Sequence, residues 1–139
     1  MALNNQFSIA LHLMAGLGCR RGGDATSTDL ATSVNACPSF VRRTLSKLSK
    51  AKLVRTTTGK SGACALAKDA GKISLLDVYR AVGAPRAFAI HHYPALETCQ
   101  VSRNIKRSME KVLCRAQKSM EESLESVSLA EFIADLRKG

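Results

Sequence analysis

Between Asp29 and Asp69 the sequence has no acidic residue, yet it carries Arg42, Arg43, Lys47, Lys50, Lys52, Arg55, Lys60 and Lys68. Cations without counter-charges along such a tract create a field suited to a polyanion, and phosphate is the chemistry they serve. Solubility needs only interspersed signs, so the tract reads as a nucleic-acid footprint rather than a solvated face. The bias is local. Residues 1–83 hold 12 basic and 4 acidic side chains, residues 84–139 hold 9 and 7, and the net charge is +10. A membrane surface is the less favoured partner for this charge.

The second reactive set is the cysteines at positions 19, 37, 64, 99 and 114. They form no CxxC and no zinc spacing, and an odd number does not suit a secreted disulfide framework, so free thiols are expected. No nucleophile, base and orienting group fall into a catalytic pattern. Gly16-Leu17-Gly18 lacks the third glycine and the preceding strand of a phosphate cradle. His12 falls among core-facing positions, where a structural role is expected. These points argue against an enzyme.

With 139 residues and 45% apolar content the chain fits one domain, or one domain with an appended element. Its longest apolar stretch, Phe7 to Leu17, falls short of the ~20 residues of a membrane span. Met1 to Gln6 lacks the basic start of a signal peptide. A cytoplasmic protein with no membrane partner is expected.

The elements that must position these residues follow from periodicity. Phe7, Ala10, Leu11, Met14 and Leu17 predict a helix that ends near Gly16 to Gly18. Thr26 with Asp29 has capping-box spacing and opens a short helix through Val34. Asn35-Ala36-Cys37 is a turn, and Pro38 suits the first position of a helix running to about Lys50. Val41, Leu45 and Leu48 form that helix's buried stripe. Ser39, Arg43, Ser46 and Lys50 lie opposite, with Arg42 and Lys47 flanking, so its outward arc is shaped for a groove.

Leu53 to Thr58 and Ala63 to Leu66, joined by Gly59-Lys60-Ser61-Gly62, predict a hairpin. Helix, turn, helix and basic hairpin is the order of a winged helix-turn-helix, with the second helix in the major groove. Ser74 with Asp77 caps a helix from Leu75 to Val82 that stops at Gly83. The expected fold is therefore mainly α: a winged helix-turn-helix domain at 1–83, a connector at 84–100, and a dimerisation helix with a terminal short helix at 101–139.

Val101, Ile105, Met109, Val112, Leu113, Ala116, Met120 and Leu124 sweep out one apolar stripe on the long helix. A monomer would leave it wet, so a second copy is the expected partner. Leu129, Phe132, Ile133 and Leu136 of the terminal helix are expected to close over the base of that assembly.

With these residues in place the chain resembles the Rrf-two family, the IscR/NsrR-type winged-helix regulators. The motifs are Leu30-Ala31, Pro38 to Leu45 with Leu48, Leu53-Val54, Lys72 to Val82, and Val127 to Phe132. The resemblance implies a homodimeric regulator, a repressor in the expected sense, on a partly palindromic double-stranded DNA operator. It places Ser39, Phe40 and Arg43 at groove-reading positions. The full DNA-binding set is expected to be Ser39, Phe40, Arg42, Arg43, Ser46, Lys47, Lys50, Arg55 and Lys60. A winged helix for RNA or protein contacts is the alternative.

Two departures from the family pattern matter. The wing lacks the glycine run with a following aromatic. Cluster-binding members carry three close cysteines before the long helix, where this chain has only Cys99, with Cys114 fifteen residues on. No cofactor is expected; a cluster using Cys99 with His91 or His92 is the cofactor alternative. Thiol-redox sensing is the favoured signal, with three candidate residues. Cys37 precedes Pro38 at a helix N-terminus, Cys99 lies nearest the family's sensory cysteines, and Cys114 stands opposite the apolar stripe near Lys111 and Lys118.

Overall fold

A computed structural model describes residues 5–20, 25–56 and 63–139. The helices are α1 (Gln6–Cys19), α2 (Ser27–Val34), α3 (Pro38–Lys50), α4 (Leu75–Ala81), α5 (Gln100–Glu125) and α6 (Leu129–Leu136). The strands are β1 (Ala25–Thr26), β2 (Val54–Thr56) and β3 (Ala63–Leu66). The chain forms two compact units, Met1–Pro85 with Leu124–Gly139, and Arg86–Ser123.

In the first unit α1 is the central element and packs against α2, α3, α4, α6 and β3. Leu13, Met14, Val41, Leu48, Ile73, Val78 and Leu129 are fully buried around it. The predicted end of α1 at Gly16 to Gly18 is corrected, since the helix continues to Cys19. Gly18 serves close packing instead of termination, and Gly16 leaves room for ordinary contact. A Cβ on Gly18 would overlap Cδ1 of Ile133, and one on Gly16 would lie 3.4 Å from Cδ2 of Leu30. The placement of His12 is also corrected: it is exposed, with Nε2 3.1 Å from Oγ of Ser33 on α2.

The capping box of α2 is present, with Thr26 Oγ1 accepting from the Asp29 N–H and the Asp29 carboxylate accepting from the Thr26 N–H. Asn35 ends the helix in the left-handed region at φ 60°, which turns the chain towards α3. The predicted hairpin is β2–β3, to which β1 adds a third strand in the order β1-β3-β2. Register pairs Ala25 with Cys64 and Val54 with Leu66. The hairpin turn, including Lys60, lies outside the described residues.

Ser74 and Asp77 form the second capping box, on α4, and the Tyr79 hydroxyl donates to the Pro85 carbonyl. Gly83, at φ 95°, carries the chain out of α4 in a conformation side chains disfavour. The terminal helix differs from its expected place at the base of a dimer. Leu129 and Ile133 are buried in the first unit's own core, Phe132 packs at its edge, and Leu136 is 50% exposed. Two backbone bonds fix this return: Leu129 N–H to Ile73 C=O at 2.7 Å and Leu75 N–H to Val127 C=O at 2.9 Å.

In the second unit the connector is tied to α5 by side-chain bonds. Ala87 N–H donates to Gln117 Oε1 at 3.2 Å, Lys106 Nζ to the Tyr93 carbonyl at 2.6 Å, and Leu96 N–H to Ser102 Oγ at 2.7 Å. α5 is 26 residues long and has no buried residue. Among the described residues no helix is long and apolar enough to cross a membrane.

Candidate nucleic-acid interface

α3 begins where its sequence dictates, with Cys37 as extended N-cap and Pro38 in the first turn. Val41, Leu45 and Leu48 are buried as the periodicity requires, and Thr44 joins them. Thr44 was not legible as core, because its hydroxyl reads as polar. It satisfies itself within the helix by donating to the Phe40 carbonyl at 3.0 Å.

Burial of that stripe turns the rest of α3 outward. Ser39, Arg42, Arg43, Ser46 and Lys50 are exposed, while Phe40 and Lys47 are half-buried. The Arg43 guanidinium carbon lies 5.6 Å from the Phe40 ring centroid, a cation–π distance that restrains this exposed side chain. Lys47 and Lys50 sit in the last turn, where cations also complement the helix dipole. Arg55 is exposed on β2. Among the described residues the one ion pair is Arg20 with Asp29, 3.9 Å apart, so the α3 cations and Arg55 have no carboxylate partner there. The structure thus gathers every predicted DNA-contacting residue it describes onto α3 and the adjoining strand.

The candidate thiols differ in surroundings. Cys37 is exposed, with Sγ 3.1 Å from Ser39 Oγ. Its pKa is lowered, first by the Ser39 hydroxyl, then by the Ser39 and Phe40 backbone N–H groups, with a smaller contribution from Arg42. Cys99 is half-buried and its Sγ accepts from Ser102 N–H at 3.5 Å. Cys114 is exposed on α5. On the same helix Val101, Val112 and Ala116 are exposed, and Ile105, Met109, Leu113, Met120 and Leu124 are half-buried.

A family model described as "Rrf2: Iron-dependent Transcriptional regulator" matches residues 3–135. The chain is 35% identical over 136 residues to YwnA of Bacillus subtilis strain 168, named as an HTH-type transcriptional regulator, covering 96% of this chain and 98% of the relative. A solved Lactobacillus plantarum structure, assigned as a transcriptional regulator, superposes with a TM-score of 0.82 at 25% identity, covering 97% of this chain and 91% of that one. Another, assigned as a DNA-binding protein, gives 0.72 at 31% identity, covering 92% and 98%.

The family description names iron dependence. Among the described residues no three His, Cys, Asp or Glu side chains come together to hold a metal ion. Family and outward-facing α3 agree on the same activity, which is regulatory and not catalytic: the chain belongs to the Rrf2 family and is a DNA-binding transcriptional regulator.

Proposed function

We propose that the protein works in the cytoplasm as a homodimeric repressor, reading a partly palindromic operator through α3 and leaving it when thiols are oxidised. The observation that carries this reading is the outward face of α3, where Arg42, Arg43 and Lys50 stand exposed without a carboxylate partner among the described residues. Arg43 and Ser39 read base edges, and Lys47, Lys50, Arg55 and Lys60 neutralise phosphates. α5 supports the dimer, since its apolar stripe has no buried member in one chain. A second copy covers that stripe and sets two α3 helices about one DNA turn apart, roughly 34 Å.

Thiol chemistry supplies the signal in place of a resident cluster. A hydroperoxide transfers one oxygen to the Cys37 thiolate, giving a sulfenate and releasing the reduced alcohol or water. The bulkier group then stands at the first turn of α3. At Cys99 or Cys114, one thiol from each protomer gives two electrons and two protons to a hydroperoxide, which leaves as water and the alcohol (or a second water), and a disulfide forms across the dimer.

The test is operator selection from a random duplex pool. Binding is then measured with reduced protein, with peroxide-treated protein, and with Cys37→Ser, Cys99→Ser and Cys114→Ser. Tight reduced binding that peroxide weakens at least tenfold, with a thiol variant immune, is expected. Failure to enrich any duplex, or preference for structured RNA, contradicts the DNA reading. Unchanged affinity with all thiols modified contradicts the redox reading.

A further inference from the structure

The first turn of α2, one flank of α3 and the foot of the wing enclose a cleft of about 350 Å³. Leu45 and Cys64 form its floor and are 3% and 2% exposed. Ser27, Ser46, Ser49 and Thr56 bring four hydroxyls to its walls, and Arg42 and Lys50 bring two cations. Among the described residues no carboxylate lines it. The nearest acid in sequence, Asp29, is committed elsewhere, with its carboxylate on the Thr26 N–H at 3.1 Å and 3.9 Å from Arg20.

We propose that this cleft seats one backbone deoxyribose-phosphate of the bound duplex, which fixes the register of α3 in the groove. The inference rests on the DNA-binding reading above and adds Ser27, Ser49 and Thr56 to the contact set. The chemistry matches in both halves of the ligand. The apolar floor accepts the sugar face. The hydroxyls donate to the phosphate oxygens, and the exposed Arg42 and Lys50 balance its charge.

Geometry along α3 divides the work. Arg42, Ser46, Ser49 and Lys50 fall at i, i+4, i+7 and i+8 and line the cleft, whereas Arg43, the proposed base reader, does not line it. The cleft side chains therefore grip backbone while Arg43 is left for a base edge. Contacts of the first kind position a protein on the duplex, and contacts of the second kind specify sequence.

The experiment replaces single phosphates of the selected operator by neutral methylphosphonates and measures wild type beside Lys50→Gln and the combined Ser27→Ala, Ser49→Ala, Thr56→Val variant. One position per half-site should lose about tenfold with wild type, and the same replacement should cost the cleft variants little more than their own deficit. Lys50→Gln should reduce the salt slope by roughly one unit per half-site. The wild-type scan needs no variant to fold, and unfolding curves establish the fold of each variant used.

Inorganic phosphate at matched ionic strength should not displace the operator beyond a chloride control. Displacement would reassign the cleft to a free anion. Losses from methylphosphonate and from cleft variants that simply add, or variants with unaltered affinity and salt slope, would overturn the cleft while leaving DNA binding intact. Absence of wild-type binding to any duplex would remove both readings together.

Discussion

Sγ of Cys37 lies 3.1 Å from Oγ of Ser39, so the residue that caps α3 and the first polar side chain of its outward face hold each other. The Ser39 hydroxyl and the backbone N–H groups of the first turn favour the thiolate, which places the Cys37 pKa below the ordinary thiol value. The sign follows directly: as pH rises, thiolate accumulates earlier on the folded chain than on an unfolded one. Alkylation of Cys37, followed by peptide mass across pH, should therefore reach half-maximal rate at lower pH in native protein than in denatured protein. Ser39→Ala should move the native midpoint upward. A midpoint insensitive to Ser39 would separate the thiol from the helix end.

The exposed Arg43 holds its guanidinium carbon 5.6 Å from the Phe40 ring centroid. Arg43→Ala should relax sequence preference by about 1 to 3 kcal/mol, the range of a bidentate arginine–guanine contact. Lys47→Gln should weaken selected and random duplexes alike. Competition binding separates the two, and equal losses on both duplexes for Arg43→Ala would deny it a base-reading role.

Leu129 is fully buried in the DNA-binding unit although it follows the long helix in sequence. Leu129→Ala should destabilise that unit by about 2 to 5 kcal/mol, the usual cost of emptying a core leucine site. Denaturant unfolding measures it, and a loss below about 1 kcal/mol would contradict the observed packing.

Met109 and Leu113 lie on the half-buried stripe of α5. An aspartate at either site would place an unpaired carboxylate in the proposed dimer contact. Sedimentation should show Met109→Asp and Leu113→Asp as monomers with their helices retained, while wild type sediments as a dimer. A wild-type monomer that binds DNA stably would contradict the dimer.

The capping boxes at Thr26 and Ser74 and the stripe of α3 were legible because each is a local pattern whose geometry the sequence spacing sets. β1 was not, because two residues cannot display an alternation and Ala25 joins the sheet only through its long-range partner Cys64. Gly18 read as part of a helix end because its close packing against Ile133 is invisible without the partner helix. His12 read as core-facing because its neighbours Leu11 and Leu13 are apolar, yet its ring is exposed beside Ser33. The outward cations of α3 were legible from charge and helical periodicity together. The hydroxyls of Ser27, Ser49 and Thr56 carry no such signal, and only the fold brings them to one cleft.

The central claim is that α3 reads a DNA sequence, and the affinity of reduced wild-type protein for its selected operator, measured against a scrambled duplex at physiological salt, tests it most directly. At least a thousandfold preference is expected, within the range for specific regulators, and Arg43→Ala should erode it. Equal affinity for both duplexes would contradict the claim, however tight the binding.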